Sequence, residues 1–253
     1  MEKNEYYKMF KFENEYWWYR GLHELVLYYV DKLKKSKTHE SELESLKIFD
    51  AGCGTGKMME ILENNKYGNV EGIDYSSEAI SLCKQRGLGH AWLEDLNTWD
   101  SPTEAYDIII SNDVIYNSGV KNDMAVVKKF HRALKKEGIL ILNLPAFKVL
   151  RRKHDIAVFG KRRYRKKRTL RQLKAIGFTP VHASYRLLPF FFVILAQKHL
   201  VDCFHKGKIE SDLKPLSPFF NSFLLWMNRL ENKLITLGIP LTFGSSLFLV
   251  CKK

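Results

Sequence analysis

The chain of 253 residues is poor in cysteine. It has four, Cys53, Cys83, Cys203 and Cys251, scattered with no C-x-x-C pair among them. That scatter argues against a zinc site or a disulfide framework and fits a reducing compartment. No metal site is expected. The apolar run Leu187–Ala196 is too short to span a bilayer, which takes about 20 residues. The amino terminus, Met1-Glu2-Lys3-Asn4-Glu5, lacks a basic-then-apolar leader pattern, so secretion is not expected. No internal repeat or low-complexity tract occurs. Acidic residues are almost missing from one region. Phe147 to Lys174 holds thirteen Lys and Arg against the single acid Asp155, so nearly all of the net charge of +13 is local. A local basic patch implies an anionic partner: a phospholipid surface, a pyrophosphate-linked acceptor or nucleic acid.

What is present is a folded globular composition, 45% apolar with mixed charge. The length suits one α/β domain with additions. Its centre is Asp50-Ala51-Gly52-Cys53-Gly54-Thr55-Gly56, between the apolar run Leu46–Phe49 and the helical pattern Lys57–Leu62. Strand, glycine turn, helix lets backbone approach a nucleotide-like ligand at the open end of a sheet. The spacing is not the G-x-G-x-x-G of dinucleotide enzymes, and no Gly-Lys-Ser/Thr ending supports a phosphate-gripping loop. A nucleoside with a small charged tail fits better. Val70–Asp74 reads as the next strand, and Asp74 at its end can accept hydrogen bonds from both hydroxyls of a ribose.

These motifs, with Trp92–Leu96, Tyr106–Val114 and Ala133–Ile141 following in order, resemble the class I S-adenosylmethionine-dependent methyltransferases. The resemblance is close over residues 46 to 186. It implies a doubly wound, mostly parallel, seven-stranded α/β sheet of the Rossmann-like methyltransferase type, with helices added at both ends. It also implies S-adenosylmethionine as cofactor, held by Asp50, Gly52, Gly54, Gly56, Asp74, Asp95 and Asn112. Asp74 would take the ribose and Asp95 the adenine amino group, although Asp95 also suits a turn carboxylate.

Residues 1–45 form an aromatic helical cap in this reading, with Gly21 separating two helices and Lys34–Ser45 a connecting loop. The run Glu15–Gly21 resembles the amino-terminal segment of one bacterial methyltransferase group. There a basic residue follows the glycine; here Leu22 and His23 do. Helices are expected at Leu22–Lys35, Ser76–Gln85, Asn122–Lys135 (stopped by Gly138) and Thr169–Ile176. Strands are expected at His90–Leu93, Tyr106–Ser111, Ile139–Leu144, Val181–Arg186 and Ser245–Val250, the last antiparallel. Residues 187–242 read as a helical insertion, a lid or a membrane-surface element, and 243–253 as the final core strand. Within the insertion, Lys206–Ser217 reads as a polar linker. Phe219–Leu237 reads as an amphipathic helix with Leu224, Met227, Leu230 and Leu234 on one side.

The catalytic candidates are His154, a histidine beside a carboxylate that suits proton transfer from a hydroxyl, and Asp113, at the carboxyl end of a central strand, which also suits a polar wall of the site or a cap of the next turn. The family's Glu-His pair is replaced here by Tyr116-Asn117. Asp155, Arg163 and Tyr164 are candidates for holding an anionic acceptor; Arg163 and Tyr164 equally suit a structural lock on the following helix. The function implied is methyl transfer to a small or lipid-linked acceptor by a cytoplasmic protein, peripheral on the inner membrane face. Nucleic acid is disfavoured, because no Asn/Asp-Pro-Pro-Tyr motif or recognisable nucleic-acid module is present. A cofactor-binding scaffold without turnover is the alternative from another class.

Overall fold

The structure, a computed structural model, describes residues 3–36, 46–152, 155–156, 158–204 and 215–253. His154, most of the expected loop Lys34–Ser45 and most of the expected linker Lys206–Ser217 lie outside the described residues.

Seven strands make one sheet: β1 (Lys47–Ala51), β2 (Asn69–Asp74), β3 (Ala91–Leu93), β4 (Tyr106–Asn112), β5 (Leu134–Pro145), β6 (Thr179–Arg186) and β7 (Ser246–Lys252). Their spatial order is β3-β2-β1-β4-β5-β7-β6. The first five run parallel, and β7 is antiparallel to both β5 and β6. The order turns back on itself where β1 lies between β2 and β4, which opens a crevice at the carboxyl ends of these strands.

Central strands in such a sheet are covered on both faces, so they read as unbroken apolar runs rather than alternations. Ile108, Ile109 and Ile110 of β4 are all buried. One face packs Phe49, Trp99 and Tyr106 as a ring stack, with Phe49 centred 4.8 Å from each of the other two. That face is covered by α5 (Asp123–Ala133) and α6 (Lys166–Ile176). The other face carries Ile48, Ile110 and Phe248 beneath α2 (Trp17–Ser36), α3 (Lys57–Asn64) and α4 (Ser77–Gln85). Ser76 caps α4, its hydroxyl accepting from the Ala79 N–H. Helix α1 (Lys3–Phe12) lies across α4 through Tyr6, Ala79 and Leu82. After β6 come α7 (Leu188–Phe204) and α8 (Pro218–Thr236), and no described helix is long and apolar enough to cross a membrane.

Several sequence expectations are corrected. Gly21 does not separate two helices; the break falls at residues 13–16, and Gly21 lies inside α2. A Cβ there would sit 2.1 Å from Asn228 Nδ2, so the glycine admits close approach of α8. Gly138 is not a helix stop. Helix α5 ends at Ala133 and β5 begins at once, with a register shift against β4 between Tyr106 and Ile108. A Cβ on Gly138 would lie 2.8 Å from the Lys135 carbonyl, so the glycine serves this irregular start of the strand. The apolar side expected for α8 is also divided: Leu224 is buried, whereas Leu230 and Leu234 are exposed.

Candidate active site

The carboxyl ends of β1, β2 and β4 open into a cavity of about 660 Å³. A broader shallow groove of about 870 Å³ lies between α6 and β6, but its charged lining is Lys167, Arg171 and Lys174, with no strand-end carboxylate. The strand-end carboxylates line the first.

One arm of the cavity is made by the glycine turn. Gly52 and Cys53 both donate their N–H to the Ile73 carbonyl at 2.9 Å, tying the turn to β2. Gly52 and Gly54 have φ of 90° and 55°. A Cβ on Gly52 would meet Val114 at 2.4 Å, and one on Gly54 would meet Met9 at 2.7 Å, so neither position has room for a side chain. Gly56 precedes the first residue of α3 in the same left-handed region.

Asp74 is buried at the end of β2 and lines this arm. Its Oδ2 accepts from the Gly54 N–H at 3.0 Å, while Oδ1 accepts from the Ser76 N–H at 3.0 Å and the Tyr6 hydroxyl at 3.4 Å. Burial raises its pKa, and these three donors oppose the rise. Asp50, beneath it, is pushed up to about 7 by burial and then by the charge of Asp74. Glu94 and Asp95 form the far wall with Tyr75 and Leu96. Asp95 Oδ1 accepts from both the backbone and the side chain of Asn97, so Asp95 holds a turn as well as facing the cavity. Asn112 also lines this arm, and its Oδ1 is buried without a partner among the described residues.

The second arm begins at Asp113. This residue has φ of 54°, unusual for a side chain larger than glycine, and the turn aims its carboxylate into the cavity. Asn143 Nδ2 donates to Asp113 Oδ2 at 2.6 Å. Burial pushes the Asp113 pKa up to about 7, against the Asn143 hydrogen bond and the charges of Arg186 and Arg163. Tyr19, Tyr116 and His23 share this part of the wall. Burial is the first cause holding both tyrosines well above their usual pKa, and it holds His23 down to about 3 with help from the Lys57, Arg186 and Arg86 charges. His23 is therefore neutral across the physiological range.

The basic loop is folded by its own ionic contacts. Arg163 clasps Asp155 with Nε to Oδ1 at 2.8 Å and Nη2 to Oδ2 at 2.9 Å, and gives Nη1 to the Ala146 carbonyl at 2.8 Å. Arg162 donates to the carbonyls of Asn117, Val120 and Lys121. Arg163 and Asp155 still line the cavity, but as a clamp that shapes the loop. Tyr164 is not brought to the cavity. It is buried, and its hydroxyl donates to Asp123 Oδ2 at 2.8 Å, locking the loop onto α5. Arg152 and Asp155, which flank the undescribed His154, both line the cavity.

The residues that sequence reading missed come from the amino-terminal cap. Glu13 accepts from the Thr55 hydroxyl at 2.5 Å and pairs with Arg86, whose Nε donates to the Thr55 carbonyl at 2.8 Å. The turn after α1 is thereby pinned to the glycine turn. Tyr6, Met9, Tyr19 and His23 then roof the cavity. The crowding of aromatics near the amino terminus was the available signal; the pairing of Tyr6 with Asp74, 68 residues away, is a tertiary contact that no local pattern reports.

Comparison with known proteins follows this geometry. Residues 49–142 match the methyltransferase-domain family. A phosphoethanolamine N-methyltransferase of Plasmodium falciparum is 29% identical over 104 residues, covering 39% of either chain. A ubiquinone/menaquinone biosynthesis C-methyltransferase of Campylobacter jejuni is 29% identical over 105 residues, covering 39% of this chain and 44% of that one. The chain thus spans about two fifths of the length of these relatives. A SAM-dependent methyltransferase from Archaeoglobus fulgidus shares the fold with a TM-score of 0.54 at 15% identity, over 91% of this chain and 94% of that chain. The matched segment carries the glycine turn, Asp74, Asp95 and the end of β4, and the sheet around it has the same architecture. Residues 49–142 thus resemble the methyltransferase domain, and the sheet around them has the fold of S-adenosylmethionine-dependent methyltransferases.

Proposed function

We propose that this chain transfers the methyl group of S-adenosylmethionine to a small or lipid-linked acceptor, as a cytoplasmic protein peripheral to an anionic membrane. One observation carries the reading: the strand-end cradle is continuous with a second, aromatic arm, and the two meet at Asp113.

The residues fit the cofactor. Asp74 faces the cavity with its carboxylate fixed by two backbone N–H groups, which suits a pair of ribose hydroxyls. The unpartnered Asn112 Oδ1 suits an ammonium donor, as on the amino-acid tail. Tyr75 and Leu96 offer flat apolar contact for adenine beside Asp95. The carboxylates of Asp50, Asp74 and Asp113 together favour a cationic guest. When bound, the cofactor supplies a methyl group on a positively charged sulfur, already a good leaving group.

The protein's task is then alignment and exclusion of water. Tyr19, Tyr116 and His23 wall the acceptor next to Asp113. An acceptor oxygen or nitrogen methylated here would give up its proton to a residue of this arm. Asp113, pushed up to about 7, is a proton acceptor matched to neutral pH. His154, the histidine of the basic loop, is the second candidate. The curated relatives are named for phosphoethanolamine in one case and for ubiquinone/menaquinone biosynthesis in the other. The shared core therefore leaves the acceptor open, and the second arm must choose it.

The test supplies methyl-labelled S-adenosylmethionine to the purified protein with a lysate of its source cells. Label in organic-soluble or small aqueous products is the expected result. Nuclease-sensitive label would replace this reading with a nucleic-acid methyltransferase. Cofactor binding with no label anywhere would favour the scaffold.

A further inference from the structure

Helix α8 is built inside out. Towards the core it buries Asn228, Glu231 and Asn232 beside Leu224, Leu225 and Ile235. Each of these side chains makes at least one inward hydrogen bond, although Asn232 Oδ1 is buried without a partner among the described residues. Asn232 Nδ2 donates to the Gly21 carbonyl at 2.7 Å, Asn228 Nδ2 donates to the Trp17 carbonyl at 3.4 Å, and Glu231 accepts from the N–H groups of Leu187 and Leu188. Outward it shows Phe219, Phe223, Trp226, Leu230 and Leu234, continued by Leu237 just past its end. Their spacings of three and four residues make one continuous stripe, with Phe219 84%, Trp226 57% and Leu237 67% exposed. Single exposed apolar residues are ordinary; a periodic row of aromatics is not.

The row adjoins the cavity. Phe190, Val193 and Ile194 of α7 line the cavity together with Leu216, Phe220 and Leu224, an apolar end of it. Trp17 stacks on Phe190 there at 4.5 Å. Phe192 and Val193 carry the exposed apolar surface onto α7. Cations border it. Lys148 and Arg151 are exposed on the segment whose Leu150 packs against Phe191 and Ile194. The exposed Arg165 lies 5.9 Å from the ring of Phe147, which in turn meets Phe191 at 5.2 Å.

We propose that the outer stripe of α8, with Phe192 and Val193 of α7, docks on an anionic lipid bilayer. The cavity mouth then opens to the acyl layer, and the acceptor is an amphiphile drawn from it. Its head lies at Asp113, Tyr19 and Tyr116, and its chain runs past Trp17, Phe190, Ile194 and Leu224. The docking stands on the surface alone; the amphiphile rests on the methyltransferase reading of the cavity. Charge selects the bilayer over a second copy of the chain, because a twofold contact would bring the basic borders of both copies together, whereas anionic headgroups neutralise them. An apolar row flanked by cations is also the pattern of helices that lie in the membrane interface.

The experiment is flotation with vesicles of phosphatidylglycerol and phosphatidylcholine in equal parts, and with phosphatidylcholine alone. The protein should float with the first and, at moderate salt, much less with the second. The triple variant Phe223→Ser/Trp226→Ser/Leu230→Ser, changed only on the exposed face, should lose at least tenfold in partitioning. Its circular dichroism and its affinity for S-adenosylmethionine should stay unchanged. Equal flotation of variant and wild type would overturn the proposal. So would a wild-type dimer in sedimentation that fails to float and that the variant abolishes, which would give the stripe to a second copy.

The chain path is read with a palmitate analogue carrying a diazirine in its tail. Photolabelling of Trp17, Phe190, Ile194 or Leu224 is expected, and label confined to the outer stripe would overturn the amphiphile. Neither readout needs cofactor. A protein that floats and labels as described but fails to bind S-adenosylmethionine would therefore contradict the proposed function and leave the docking intact.

Discussion

The two arms of the cavity are made of different material. The first is backbone and carboxylate at the ends of β1, β2 and β4, held by bonds such as Gly54 N–H to Asp74 at 3.0 Å. The second is side chain: aromatics from α2, a strained aspartate after β4, a loop folded by the Arg163–Asp155 clamp, and helices α7 and α8. A strand end fixes atoms through the ladder of the whole sheet, so the first arm tolerates little change. The second arm rests on elements added around the sheet, where insertion and substitution are easier to accommodate. One arm can keep a cofactor constant while the other changes the acceptor.

The comparison breaks most directly at Asp113, where the arms meet. Asp113→Asn keeps the shape and removes the proton acceptor. Turnover should fall by about 10²–10⁴-fold with cofactor affinity nearly unchanged. Unchanged turnover in single-turnover measurements would move the role to His154, testable by His154→Gln.

Next in size is a change confined to the first arm. Gly52→Val places a branched side chain where a Cβ already meets Val114 at 2.4 Å, with φ of 90°. Cofactor affinity should drop by about 100-fold, roughly 2.7 kcal/mol, in calorimetry. Vesicle flotation should persist, because the exposed outer stripe of α8 does not touch the turn.

A third change tests the frame that holds the second arm. Gly21→Ala forces α2 away from Asn228 and should cost about 1–3 kcal/mol in denaturant unfolding. It should disturb the apolar mouth more than cofactor binding.

The last expected effect is on pH. Asp50 and Asp113 are both pushed up to about 7 in the folded protein, from a usual value of 3.8. A carboxyl raised on folding binds its proton more tightly in the folded state than in the unfolded one. Its contribution is fully present below about pH 4 and is lost as pH rises through about 7. Ligand-free Tm should therefore decline over that window. S-adenosylmethionine, with its cationic sulfur, should raise Tm more at pH 8 than at pH 6. The demethylated, neutral-sulfur product should show less of this difference. A flat profile would mean that these carboxylates titrate normally.

The first arm was legible in the sequence because its parts are local: Asp50 to Gly56 is one strand end with its turn, Asp74 and Asn112 end β2 and β4, and Asp95 comes just after β3, strands that their own apolar runs announce. The sheet and its antiparallel last strand were legible for the same reason. Tertiary partners were not. Gly21 reads as a helix break until Asn228 is seen against it, and Gly138 as a stop until the strand is seen to begin before it. Tyr164, next to Arg163 in sequence, points away to Asp123, because neighbours on an extended segment face opposite sides. On α8, spacing alone could not tell the inner face from the outer, since both carry leucine.

The most direct test is calorimetric titration of S-adenosylmethionine into the wild-type protein and into Asp74→Ala. The account predicts binding of one equivalent to the wild type, competed by the demethylated product. It predicts binding at least about 30-fold weaker in the variant, whose Gly54 and Ser76 N–H groups lose their acceptor. Equal affinity in the two proteins, or no binding by a folded wild type, would contradict it.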